Sequence, residues 1–129
     1  MHGESLITTQ RLAILGCLLV GIIVSFAALG AQEQAPRQRE FEVEFIGYEL
    51  SPARIEVGRG DVVRLVITSD GGAHSFTIDE YRISRRVQPG EATVVVFRAD
   101  RAGSFVYYCN LTSDARHESG RGTLVVTER

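Results

Sequence analysis

The 129-residue chain has no lysine, no tryptophan, one methionine (the initiator), two cysteines and three histidines. The lack of lysine carries no functional conclusion, but the other shortages do. From residue 31 onward there are 13 arginines against 15 acidic residues, so the basic excess that marks a nucleic-acid-binding surface is missing. The same stretch has one cysteine, Cys109, which excludes an internal disulfide there. In an oxidising compartment a lone thiol is a liability unless it is buried or holds a metal. No Gly-rich phosphate loop, internal repeat or low-complexity tract is present, and no segment after residue 30 has a helical period of useful length.

One long apolar run is there. Leu12 to Gly30 reads LAILGCLLVGIIVSFAALG, nineteen residues without a charge. As a helix it would span roughly 28 Å at 1.5 Å per residue, close to the hydrocarbon thickness of a bilayer. Arg11 at its start favours a cytoplasmic N-terminus, residues 1–11, with everything after the run outside. A secretory signal is the competing reading: its apolar core is shorter, but Ala28-Leu29-Gly30-Ala31 offers a small-residue cleavage site. Lipidation at Cys17 is a third. All three export the remainder, and the length of the run favours an uncleaved membrane anchor over 12–30.

Residues 31–40, AQEQAPRQRE, are polar, carry a proline and lack periodicity, so they read as a linker. From 41 to 129 the pattern changes to short alternating runs between turn signals. FEVEFIGYEL (41–50) places Phe41, Val43 and Phe45 on one face and Glu42 and Glu44 on the other. ARIEV, VVRLVITS, AHSFTID, ATVVVFRA, SFVYYC and GTLVVT follow, divided by SP, GRGD, DGG, QPGE and DRAG. Seven or so short strands with a turn about every ten residues describe an all-β sandwich or barrel.

Chemistry concentrates in three residues. His74 opens a strand after a glycine turn; Cys109 ends a strand; His117 lies in the loop before the last strand, with seven residues between it and the cysteine. Each alone suits an ordinary buried thiol or histidine. Together, in a domain with no other soft or borderline ligand, they point to a metal site. One thiolate and two imidazoles in a trigonal arrangement, with a weak axial ligand, hold copper in both of its oxidation states.

Across about 41–127 the sequence resembles the cupredoxin family, through HSFTIDEY (74–81), VQPGEATVVVF (87–97), AGSFVYYC (102–109) and GTLVV (122–126). The resemblance implies a Greek-key β-sandwich, one copper ion and single-electron transfer. The wide Cys–His gap is similar to the binuclear CuA loop of cytochrome oxidase subunit II, C-x3-C-x3-H-x2-M. Laid on CNLTSDARHESG, that frame puts Ser113 at the second thiolate and Gly120 at the thioether, so a mononuclear site on His74, Cys109 and His117 is implied. Glu118 is the nearest hard candidate for the axial position and would lower the potential relative to methionine; the Ala73 carbonyl is the alternative. Ser75 either donates to the thiolate or serves as a plain edge-strand hydroxyl. Asn110-Leu111-Thr112 matches a glycosylation sequon, a common chance motif. Arg85, Arg86 and the acids at 79–80 read as a solvated face.

The expectation is therefore an exported, membrane-anchored electron carrier on the periplasmic or extracellular side. Its partner would be a redox protein such as a membrane oxidoreductase, with no nucleic acid involved. A copper-trafficking or assembly module and a metal-free interaction domain are the alternatives. An enzyme is not expected, because multicopper oxidases and copper nitrite reductases need histidines beyond the two available.

Overall fold

The alternation from Phe41 to Phe45 builds a strand whose Val43 and Phe45 are fully buried while Glu42 and Glu44 face solvent. The same rule of two repeats along the chain in a computed structural model that describes residues 35–129. Nine strands result: β1 (Gln38–Ile46), β2 (Glu49–Ser51), β3 (Arg54–Gly58), β4 (Val62–Ser69), β5 (His74–Ile78), β6 (Ile83–Val87), β7 (Thr93–Arg98), β8 (Gly103–Tyr108) and β9 (Arg121–Thr127). The only helical pieces among the described residues are short 3-10 turns at Asp79–Tyr81 and Ala115–Ser119. None is long and apolar enough to cross a membrane. The apolar run 12–30 lies outside the described residues.

The strands form a four-stranded sheet in the order β2-β1-β4-β7 and a five-stranded sheet in the order β3-β9-β8-β5-β6. Two pairs are parallel, β1 with β4 and β3 with β9; the others are antiparallel. One apolar cluster joins the inner faces. Val43, Phe45, Val63, Leu65, Ile67 and Val95 come from the first sheet; Ile55, Val57, Phe76, Ile78, Tyr107, Leu124 and Val126 come from the second. This is the all-β sandwich that the sequence pattern suggests.

Two elements differ from the sequence reading. The run 41–50 is a hairpin rather than one strand. Gly47 takes a positive φ of 61°, which turns the chain so that Ile46 pairs with Glu49. The stretch containing Arg85 and Arg86 is a strand, β6, at the edge of the second sheet. Its middle residues are exposed, which hid its alternation.

Three connections converge near one another: the β1–β2 turn, the β4–β5 loop and the long β8–β9 loop. The Gly47 N–H donates to Asp70 Oδ1 (3.0 Å), and the Tyr48 hydroxyl donates to Asp114 Oδ2 (3.3 Å).

Candidate metal centre

The β4–β5 loop is a tight turn held by the Ser69 hydroxyl, which donates to the Gly72 carbonyl (2.7 Å). It delivers His74 onto the first residue of β5, where the ring is 1% exposed and stacks on Phe45 at 4.3 Å between centroids. Cys109 follows the last residue of β8 and is 6% exposed. Its N–H donates to the Gly120 carbonyl (2.9 Å), which closes the β8–β9 loop at its base. Inside that loop Asp114 caps the 3-10 turn by accepting from the Arg116 N–H (3.0 Å), and His117 is the turn's buried residue.

The three side chains meet. His74 Nδ1 lies 3.3 Å from His117 Nδ1, and His117 Nδ1 lies 3.5 Å from Cys109 Sγ. One donor atom from each residue falls within 4.8 Å of the others. A proton can bridge the two facing nitrogens, whereas a cation seated among the three side chains would engage both rings and the sulfur at once. The donor chemistry, one thiol and two imidazoles, fits copper. It is one donor short of the four that structural zinc takes. Burial first, and then the neighbouring His117, pushes the His74 imidazolium below the usual histidine range; the Gly47 carbonyl and Asp70 offset part of this. His74 Nε2 is buried and makes no hydrogen bond of ordinary geometry.

A set of hydrogen bonds fixes the thiol. The Ser75 N–H points at Cys109 Sγ (3.4 Å), whereas the Ser75 hydroxyl is 3.9 Å from the sulfur and donates to Asn110 Oδ1 at 2.5 Å. The Asn110 N–H returns to Ser75 Oγ (2.8 Å). Ser75 thus serves the sulfur mainly with its main chain, and its hydroxyl ties β5 to the start of the β8–β9 loop. Tyr48 roofs the histidines, edge-on to His117 at 5.0 Å and to His74 at 5.8 Å, with the Arg116 guanidinium 4.6 Å above its ring. Hydrogen bonds from Arg116 hold the Asp114 carboxyl well below the usual carboxylate range.

Residues 18–126 match the family described as the cupredoxin-like domain. The chain belongs to that family. It is 30% identical over 96 residues to a cytochrome c oxidase subunit 2 of Thermus thermophilus, covering 74% of this chain and 71% of that one. A second subunit 2 of the same species has the same identity but is covered over 57% of its length. Auracyanin A, a blue copper protein of Chloroflexus aurantiacus, superposes with a TM-score of 0.59 at 14% identity, over 70% of this chain and 99% of that one. The metal-binding domain of a Streptococcus pneumoniae Cu(I)-exporting P-type ATPase superposes with a TM-score of 0.60 at 14% identity, over 74% and 92%. At such identities these two structures speak for the fold alone.

In this cupredoxin the structure brings together His74, Cys109 and His117. Glu118 is not among the converging donors: it is exposed on the 3-10 turn and lines a surface cavity that Cys109, Tyr108, Leu111 and Arg121 also line. Gly120, at the thioether position of the CuA frame, has no room for a side chain. A Cβ there would lie 2.9 Å from the Tyr48 carbonyl oxygen and 3.3 Å from Cys109 Cβ. Tyr48 and Asn110 escaped the sequence reading. Asn110 carried a signal, its place directly after Cys109, whereas nothing local set Tyr48 apart.

Proposed function

We propose that this cupredoxin carries single electrons on one copper ion held by His74, Cys109 and His117, outside a membrane to which residues 12–30 anchor it. Residues 1–11 would then lie in the cytoplasm, 31–40 would form the tether, and 41–129 the working domain. The observation that carries the reading is the buried meeting of one thiol and two imidazole Nδ1 atoms, with no second thiol in the domain to bridge a second metal.

Copper, when bound, supplies a one-electron couple. The protein's part is to keep the donors still and dry. Phe45 fixes the His74 ring by stacking, Asp114 and Gly120 fix the turn that carries His117, and Ser75 and Asn110 fix the sulfur. Donors on a rigid sandwich need little rearrangement when the charge changes. A carrier, rather than an enzyme, suits a domain whose two histidines are both committed to one centre. A redox protein at the same membrane is the partner class supported by the likeness to oxidase subunit 2.

The test is a copper(II) titration of the detergent-solubilised full chain, followed by visible absorption and EPR. One equivalent should produce a thiolate-to-copper band that Cys109→Ser abolishes. Two equivalents bound with equal affinity would overturn the mononuclear reading, and no binding would overturn the copper reading altogether. A reversible couple supports electron carriage, whereas an irreversible one would move the assignment to copper trafficking. Because Glu118 stands outside the cluster, Glu118→Gln should leave the band in place; a shifted band would restore the carboxylate as axial ligand.

A further inference from the structure

His117 is the donor with the least support from the sheets. His74 lies in β5 with its ring stacked on Phe45, and Cys109 follows β8 directly, its N–H bonded to the Gly120 carbonyl. His117 instead rides a five-residue 3-10 turn. A cavity of about 350 Å³ opens beside its ring and that of His74, and Gly71, Gly72 and Ala73 supply part of the lining. Close packing therefore does not hold the imidazole on that side. Besides His74 itself, the aromatic ring that packs on His117 among the described residues is Tyr48, edge-on at 5.0 Å and 70°.

Tyr48 is in turn fastened to the residues around His117. Its hydroxyl donates to Asp114 Oδ2 (3.3 Å), its carbonyl accepts from the Ser119 hydroxyl (3.4 Å), and the Arg116 guanidinium lies 4.6 Å from its ring centroid. Asp114 and Arg116 are joined to each other by an ion pair. The tyrosine thus grips the turn on both sides of His117, at 114 and 116 before it and at 119 after it. We infer that Tyr48 is the positioning residue of this centre. Its ring keeps the His117 imidazole in the orientation in which Nδ1 meets His74 Nδ1 and Cys109 Sγ. Asp114, Arg116 and Ser119 keep Tyr48 in place. A ligand ring held beforehand loses little rotational freedom when a metal arrives, so the contact raises affinity without adding a donor. The effect on copper rests on the reading proposed above; the effect on the ring does not.

Two substitutions in the detergent-solubilised full chain separate ring from hydroxyl: Tyr48→Leu removes both, and Tyr48→Phe removes the hydroxyl alone. In the copper-free chain the His117 side chain should give one set of 1H–15N signals. Tyr48→Phe should give the same set, and Tyr48→Leu several sets or an exchange-averaged one. With copper(II), Tyr48→Leu should bind about 10–100-fold more weakly and broaden the thiolate-to-copper band, and Tyr48→Phe should restore both. If Tyr48→Leu does not fold, as read by far-ultraviolet circular dichroism, Arg116→Gln removes the guanidinium from beside the tyrosine ring. That variant should disturb the His117 signals in the same direction. Parent-like His117 signals in whichever of the two variants folds would overturn the inference. So would a Tyr48→Phe chain as disturbed as Tyr48→Leu, because the hydroxyl and not the ring would then be acting. A parent chain that binds no copper would remove the copper reading, while the His117 signals would still decide the role of Tyr48.

Discussion

Tyr107 and Gly122 compete for one volume. They face each other across β8 and β9, and a Cβ on Gly122 would overlap the tyrosine ring. The ring is fully buried and its hydroxyl donates to the Pro52 carbonyl, so it has nowhere to retreat. Gly122→Ala should therefore destabilise the domain by about 3 kcal/mol, at the upper end of the usual cost of overpacking, read as a lower urea midpoint. Burial also pushes the Tyr107 phenol up to about 12. Its unfolded value is about 10. Between those values the unfolded chain gives up its proton while the native state keeps it, so the stabilisation is complete below pH 10 and is lost as pH rises toward 12. The loss should approach roughly 2–3 kcal/mol. Urea unfolding at pH 9 and pH 12 checks this, and Tyr107→Phe should flatten the difference.

At the scale of the element, legibility followed solvent exposure. Strands with one wet and one dry face, such as β1 and β3, announce themselves by alternation. β5 is buried on both faces: Ser75 is tied to Asn110, and Thr77 Oγ1 meets Ser84 Oγ. These hydroxyls are satisfied by neighbouring side chains rather than by solvent. β6 was invisible for the opposite reason, since its exposed arginines mask the pattern. The trio of site residues was legible because candidates were scarce, while Tyr48 comes from a turn distant in sequence and is made part of the site only by tertiary packing. β7 is an edge strand with Val94 and Val96 partly exposed, Val96 at 59%. Val96→Lys should change stability by less than about 0.5 kcal/mol while reducing any concentration-dependent association, as measured by light scattering.

Across the whole molecule, copper should act as a stabilising ligand. The donors come from β5 and from both ends of the β8–β9 loop, so an unfolded chain does not present them together. Free copper at a hundred times its dissociation constant should raise the unfolding free energy by about 2.7 kcal/mol, seen as a higher melting temperature. Cys109→Ser should lose most of that increment while keeping the sandwich, because a hydroxyl occupies nearly the same space. A gain unchanged in Cys109→Ser would place the stabilising copper elsewhere.

β9 lies between β3 and β8 in the second sheet, and the residue just before it, Gly120, holds the main chain of Cys109. In terms of time rather than space, the first sheet can pair once β7 has been made, but the second stays split until β9 arrives. Of the described strands β9 is made after the other eight, so the Gly120 carbonyl reaches the Cys109 N–H only then. The centre therefore assembles late, and whatever protects or loads Cys109 must act in that interval or after the sandwich has closed.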